Sequence, residues 1–225
     1  MEIDSWVTNS VSNLVRRIHM EEAVFREILC EALYTNKAVE QKRLSQDLRV
    51  SIGLVNKTVT KLERMGAVSK YGRSYSVMSY KKVLMLWASL RNLQRDLLYS
   101  TRVDTSVREI ERSLPDGSIL SAYTAFNYLF NEAPADYSEV WTYVPEDMLP
   151  EIRERFPSNN LPGNLYILKA DTLLLENSKR YSKRINIVSL PQLYVDLWNI
   201  PSWYSKEYIT LLEKKIMEIK DGILE

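Results

Sequence analysis

Between residues 42 and 73 the chain spaces cationic, amide, hydroxyl and phenolic side chains at intervals that suit contact with a polyanion. They are Lys42, Arg43, Ser51, Gly53, Asn56, Lys57, Thr60, Lys61, Arg64, Lys70, Tyr71 and Arg73. Lysine and arginine neutralise phosphates, asparagine and arginine match donor and acceptor pairs on base edges, and serine or threonine hydroxyls serve either. From Glu40 to Lys82 ten basic residues face three acids, a local net of +7 in a chain whose formal charge is +1. Residues 100–162 carry five basic residues and eleven acids, a net of −6. A basic front and an acidic middle imply two modules with different partners. A polar helix face is also commonly just a solvated face, so the shape that carries these cations decides between the readings.

The elements that position them are legible. Gln41 to Leu48 reads as a short helix with Leu44 and Leu48 four apart. Arg49-Val50 follows as a tight turn, and Ser51 is placed to cap the next helix by accepting a backbone N–H. In that helix, Ile52 to Met65, the spacing turns Ile52, Val55, Val59 and Leu62 inward, and Gly53, Asn56, Lys57, Thr60, Lys61 and Arg64 outward. Gly66 stands where a left-handed residue ends a helix. Ala67–Lys70 and Ser74–Met78 are β-prone runs around Tyr71-Gly72-Arg73, a hairpin signal. Helix, turn, polar-faced helix and basic hairpin is the order of a winged helix-turn-helix. A helix roughly 10–12 Å across fits a major groove about 12 Å wide.

The runs Leu44-Ser-Gln-Asp-Leu48, Val50-Ser-Ile-Gly-Leu-Val-Asn-Lys57 and Leu62-Glu-Arg-Met-Gly-Ala-Val68 resemble the MarR-like and related winged-helix transcription regulators. That resemblance implies a recognition helix over Ser51–Arg64, a wing over Lys70–Ser74 and double-stranded DNA as the partner. Operators are commonly palindromic and one module binds weakly, so a homodimer is expected. Its candidate seams are the apolar stripes at 3–18 (Ile3, Val7, Val11, Leu14, Val15, Ile18) and 83–97, which serve equally well as the chain's own core.

A second helix is expected over Glu21–Tyr34, and a long one over Tyr80–Tyr99 on Val83, Leu86, Trp87, Leu90, Leu93 and Leu97. The polar run Ser100–Ser106 is a candidate boundary. Beyond it, helices are expected at 118–130, 145–156, 191–199 and 205–220, and strands at 139–144, 165–168 and 185–188. Ser118-Ile-Leu-Ser-Ala-Tyr-Thr-Ala-Phe-Asn-Tyr-Leu129, Val140-Trp-Thr-Tyr-Val144 and Leu190-Pro-Gln-Leu-Tyr-Val-Asp-Leu197 resemble the AbiEi-type antitoxin and regulator family. The resemblance implies a degenerate nucleotidyltransferase-like domain without catalysis and a possible toxin as protein partner. Active relatives of that fold use Gly-Ser at a strand-to-helix turn and an Asp-x-Asp or Asp-x-Glu pair on the next strand to hold magnesium. Here Gly117-Ser118 offers the first element. Asp136-Tyr-Ser-Glu139 has an odd offset, which does not put two carboxylates on one strand face, so the metal pair reads as broken. Asp136, Glu139 and Asp171 are the remaining candidates for a rearranged site. No catalytic residue, metal ligand or cofactor is therefore assigned.

With 225 residues, 45% hydrophobic and 26% charged, the chain has the composition of a globular protein. Its one cysteine, Cys30, excludes an intramolecular disulfide framework and reads as a small core residue. His19, the only histidine, lies ahead of the second expected helix and near no obvious nucleophile. The start Met-Glu-Ile-Asp-Ser-Trp lacks a signal-peptide pattern, and Val83–Ala88 falls far short of the roughly 20 residues needed to cross a bilayer. A cytoplasmic protein is expected, with no membrane partner. Trp87 and Trp198 lie on apolar stripes and read as core, while Tyr194, Trp198, Trp203 and Tyr204 gather near Pro201.

The expected fold class is α+β, an N-terminal winged helix-turn-helix plus a C-terminal α/β nucleotidyltransferase-like domain. The segments are an N-terminal amphipathic helix at 1–19, the DNA-binding domain at 20–80, a connecting helix and linker at 81–106, and the α/β domain at 107–225. The expected function is sequence-specific DNA binding for transcription regulation, with an antitoxin-like autorepressor as one form. The alternatives are a protein-interaction module whose winged helix never touches DNA, and a nucleotidyltransferase with a rearranged metal site.

Overall fold

The computed structural model describes the backbone of residues 2–35, 38–181 and 185–221, and the side chains of these except 2–17, 179–181 and 221. The chain is mixed α+β with two sheets and divides into two compact units, Met1–Trp87 and Ala88–Glu225. No described helix is long and apolar enough to cross a membrane.

The first unit opens with α1 (Glu2–Tyr34), a single helix where two were expected. The reason is local: Arg16-Arg-Ile-His-Met-Glu-Glu22 contains neither glycine nor proline, so nothing interrupts the hydrogen-bond ladder. His19 therefore lies within a helix rather than ahead of one. The expected seam at 3–18 falls, apart from Ile18, on side chains outside the described residues. β1 (Val39–Glu40), α2 (Gln41–Asp47), α3 (Ile52–Arg64), β2 (Val68–Tyr71) and β3 (Ser74–Val77) follow.

The strands form an antiparallel sheet in the order β1-β3-β2, with Lys70 opposite Tyr75 and Tyr71 opposite Ser74. Gly72 and Arg73 make the two-residue turn, and Gly72 takes φ 63°, which glycine adopts without steric penalty. Phe25, Ile28, Leu29 and Leu33 of α1 are buried, as are Leu44, Val55, Val59, Leu62 and Tyr75 from the later elements. Cys30 is buried in the same helix.

α4 (Tyr80–Leu90) begins in the first unit and ends in the second. The expected continuation to Tyr99 does not form. Asn92 is extended at φ −139°, and its side chain accepts from the Gln94 N–H at 3.0 Å, starting a 3-10 turn over Leu93–Asp96. A short polar side chain has here outcompeted the helix ladder. Leu97–Thr101 is then a strand, β4, so part of the polar run expected to mark a boundary is paired sheet.

The remaining elements are α5 (Val107–Ser113), β5 (Ile119–Leu120), α6 (Ala122–Phe130), β6 (Val140–Val144), α7 (Leu149–Arg155), β7 (Leu165–Lys169), α8 (Thr172–Tyr181), β8 (Asn186–Ile187), α9 (Leu190–Asn199) and α10 (Ser205–Asp221). Strand order is β4-β7-β6-β5-β8. The β7/β6 and β5/β8 pairs are parallel, and the other two are antiparallel. β6 is buried at all five positions, as befits a strand covered on both faces. Val140 and Val144 join Ile110, Ile152, Phe156, Leu165 and Ile167 in one cluster. Trp141 stacks on Tyr166, centroids 4.0 Å apart.

Candidate nucleic-acid interface

Two turns hold α3 in place. Arg49 adopts a left-handed φ of 51°, and the Ser45 hydroxyl donates to the Val50 carbonyl at 2.7 Å, closing the turn after α2. Ser51, extended at ψ 142°, then caps α3 by accepting from the Leu54 N–H at 3.2 Å. At the other end Gly66 takes φ 64°, and Lys82 Nζ donates to the Met65 carbonyl at 2.9 Å, placing a cation at the negative end of the helix dipole.

α3 buries Val55, Thr58, Val59 and Leu62. Ile52, expected inward, is 50% exposed, because it is the helix's first residue and both its neighbours, Ser51 and Gly53, are exposed as well. Coverage, not periodicity, decides that position. Thr58 is buried in its place, with no hydrogen-bond partner for its hydroxyl.

On the outward face the hairpin meets the helix. Lys70 of β2 donates to Asn56 Oδ1 at 3.3 Å and to Thr60 Oγ1 at 3.2 Å, and Thr60 Oγ1 donates to the same Asn56 oxygen at 3.1 Å. Glu63 approaches Lys70 at 4.0 Å. Asn56, Thr60 and Lys70 thus form one polar cluster. Gly53, Lys57 and Arg64 are exposed on the same helix, and Tyr71 and Arg73 are exposed at the hairpin tip. The side chains of Lys42, Lys57, Arg64 and Arg73 enter no hydrogen bond or ion pair among the described residues.

Two of the expected contacts face elsewhere. Lys61 is ion-paired with Glu21 of α1 and lies 5.9 Å from the centroid of the Phe25 ring. Arg43 donates to Glu31 of α1 at 2.7 Å and sits 3.6 Å from Asp47. These α1 carboxylates neutralise part of the local positive charge, a partnership across 40 and 12 residues that no spacing rule exposes. Lys82, counted in the basic window but not assigned to the site, acts as the α3 cap; its position just after the hairpin was the available signal.

The second unit places the residues expected of a nucleotidyltransferase-like centre apart from one another. Gly117-Ser118 does not lie between a strand and a helix: it precedes β5, with Gly117 at φ 93° and Ser118 Oγ donating to the Pro115 carbonyl at 2.7 Å. The strand-to-helix turn is instead Leu120-Ser121-Ala122, with Ala122 at φ 49°. Helix was expected from 118, yet Ile119–Leu120 is a strand, because its backbone pairs with both β6 and β8. Glu139 accepts from Trp141 Nε1 at 3.0 Å, Asp136 is exposed, and Asp171 caps α8 by accepting from the Leu174 N–H at 2.7 Å. Among the described residues no group of three or more His, Cys, Asp or Glu side chains is arranged to hold a metal ion.

Trp87 is fully buried as expected of core, but Trp198 is 45% exposed and stacks on Tyr194, because α9 ends one residue later and its side chain passes beyond the buried run 190–197. No family model matches the chain, and no curated protein and no solved structure matches it either.

Proposed function

We propose that the chain is a sequence-specific double-stranded DNA-binding transcription regulator, with residues 20–80 acting as a winged helix-turn-helix and α3 as its recognition helix. The observation that carries this reading is the junction of α3 with the hairpin: the exposed Asn56 and the half-buried Thr60 and Lys70 share one polar cluster, flanked by Lys57 and Arg64, which are exposed and enter no hydrogen bond or ion pair among the described residues. Amide and hydroxyl groups at the centre suit base edges, and cations at the flanks suit phosphates. Tyr71 and Arg73 at the hairpin tip have the chemistry and exposure of a phosphate-contacting wing. In this reading the protein acts in the cytoplasm as a homodimer, and the second unit is a non-catalytic, nucleotidyltransferase-like interaction or effector domain. An antitoxin-like autorepressor with a toxin partner is one form of it.

The discriminating measurement is fluorescence anisotropy on duplexes selected from a random library. Replacing Lys57 and Arg64 together by alanine lowers affinity on the order of tenfold at fixed salt and flattens the log–log salt slope by about 2. An affinity unmoved by the pair of substitutions removes α3 from the interface. That outcome favours a protein-docking module instead, a reading supported by the two α1 carboxylates that already occupy Lys61 and Arg43.

A further inference from the structure

In the second unit, α5 and α6 border an open cleft of about 290 Å³ lined by Arg108, Glu111, Arg112, Asn127, Tyr128 and Asn131. Its chemistry is unlike that of any other surface described above. Arg108 and Arg112 stand four apart on α5, so both guanidiniums lie over one helix face. Both are exposed, and neither takes part in a hydrogen bond or ion pair among the described residues.

The acids nearby are already engaged. Glu111 Oε1 accepts from Thr124 Oγ1 at 2.7 Å and from the Tyr137 hydroxyl at 3.0 Å. Burial, and then Glu111 itself, push Tyr137 up to about 12, so the phenol stays a donor to that carboxylate. Glu109, which feels Arg112 at longer range, is held by Ser106 in the capping box of α5. Two positive charges against one leave the lining with a net of +1.

Tyr128, 46% exposed, lines the cleft with an aromatic side chain. Asn131 adds a carboxamide with both donors and an acceptor, and Asn127, a turn earlier on α6, adds what its amide has left after donating to the Tyr137 hydroxyl. Asn131 is fixed at the helix end in the left-handed region, φ 50°, with its N–H donating to the Asn127 carbonyl at 2.8 Å.

We infer that this cleft is a binding site for a small phosphate monoester carrying a planar ring, a mononucleotide being the simplest example. Paired guanidiniums present fixed forks of N–H donors to phosphate oxygens. The tyrosine ring stacks on a planar heterocycle, and asparagine amides hydrogen-bond its edge. A carboxylate, by contrast, would satisfy the arginines and leave the ring and the amides without a role. The site belongs to the second unit and uses none of the residues assigned to DNA, so it stands or falls separately from the function proposed above.

Isothermal titration of the full-length protein with AMP, GMP, CMP, UMP, inorganic phosphate and adenosine tests it. At least one mononucleotide binds saturably, inorganic phosphate binds more weakly, and adenosine does not bind. Arg108→Ala with Arg112→Ala weakens the mononucleotide at least tenfold with the melting temperature kept, since both side chains are exposed. Tyr128→Ala weakens the mononucleotide and leaves inorganic phosphate unchanged. No saturable binding up to about 10 mM overturns the inference, as does an affinity unaltered in the double arginine variant. Loss of duplex affinity in that variant equal to the loss in the Lys57, Arg64 variant also overturns it, because the guanidiniums would then serve a DNA backbone.

Discussion

On the exposed face of α3, Lys57 and Arg64 have no ion partner among the described residues, whereas in the second unit Arg91 has a side chain only 3% exposed and is enclosed by acids. Arg91 is ion-paired with Asp96, donates to the Tyr143 hydroxyl at 2.8 Å and lies 3.5 Å from Asp196. Asp196 in turn accepts from Ser121 at 2.7 Å, from Gln192 at 2.9 Å and from Tyr143 at 2.9 Å. The residue types overlap; the surroundings differ. A cation in water keeps its hydration and is available to a partner. A cation taken out of water must be compensated by counter-charges and acceptors, as Arg91 is by Asp96, Asp196 and Tyr143, and it is then buried away from any partner. Charge alone therefore does not say which cations in this chain a partner could use. Their surroundings decide that.

The strongest way to break the comparison is to remove the buried member. Arg91→Met leaves Asp96 and Asp196 in a low-dielectric site without their guanidinium, and such a loss costs about 3–5 kcal/mol. Urea unfolding of the variant shows it as a fall in midpoint at unchanged slope. A cost below about 1 kcal/mol would mean that water reaches the cluster and that the contrast with α3 is one of degree. On the exposed side, Lys57→Ala with Arg64→Ala shifts stability by no more than about 0.5 kcal/mol, the ordinary range for surface changes.

That asymmetry also explains what the sequence made legible. The order α2, turn, α3, hairpin was readable because each boundary has a local cause: Ser51 caps, Gly66 and Gly72 take positive φ, and Val55, Val59 and Leu62 repeat at helical spacing. Asn56, Lys57 and Arg64 were readable as outward for the same reason. The Arg91 cluster was not readable. Its members come from α4's end, the turn after it, β6 and α9, over as many as 105 residues of chain, and periodicity alone carried the expected helix straight through Arg91 to Tyr99. The diversion of Lys61 and Arg43 toward α1 was hidden likewise, since it depends on where α1 packs. Local signals set elements; long-range charge matching sets which side chains remain available.

A smaller effect sharpens the same division within α3. Ser51 sits at the exposed end of the polar face but has a structural task, accepting from the Leu54 N–H. Ser51→Ala removes a cap worth about 1 kcal/mol, and Ser51→Asp retains it. Thermal melting distinguishes these from the neutral change at Lys57 and Arg64. A Ser51→Ala protein as stable as the parent would show that the turn from Leu48 to Val50 holds α3 unaided.

The smallest effect compares two carboxylates, one on each side of the divide. Burial pushes the Asp196 carboxyl above its ordinary value, opposed by Arg91 and by its Ser121, Gln192 and Tyr143 donors. Glu109, on the exposed start of α5, is held below its ordinary value of 4.5 by the backbone N–H and the hydroxyl of Ser106. The signs are opposite. Glu109 binds protons less readily folded than unfolded, so its contribution to stability is present above pH 4.5 and is lost as the pH falls through the depressed value. Asp196 binds them more readily folded, so its contribution is present below 3.8 and is lost as the pH rises through the raised value. Carboxyl carbon NMR titration reads both directly. Glu109 titrates below, and Asp196 above, an ordinary side chain of its kind, and Ser106→Ala returns Glu109 toward 4.5 while leaving Asp196 where it was. Asp196 titrating below its ordinary value would mean that Arg91 and the three donors outweigh desolvation, and that the buried cluster holds its charge as firmly as the open capping box does.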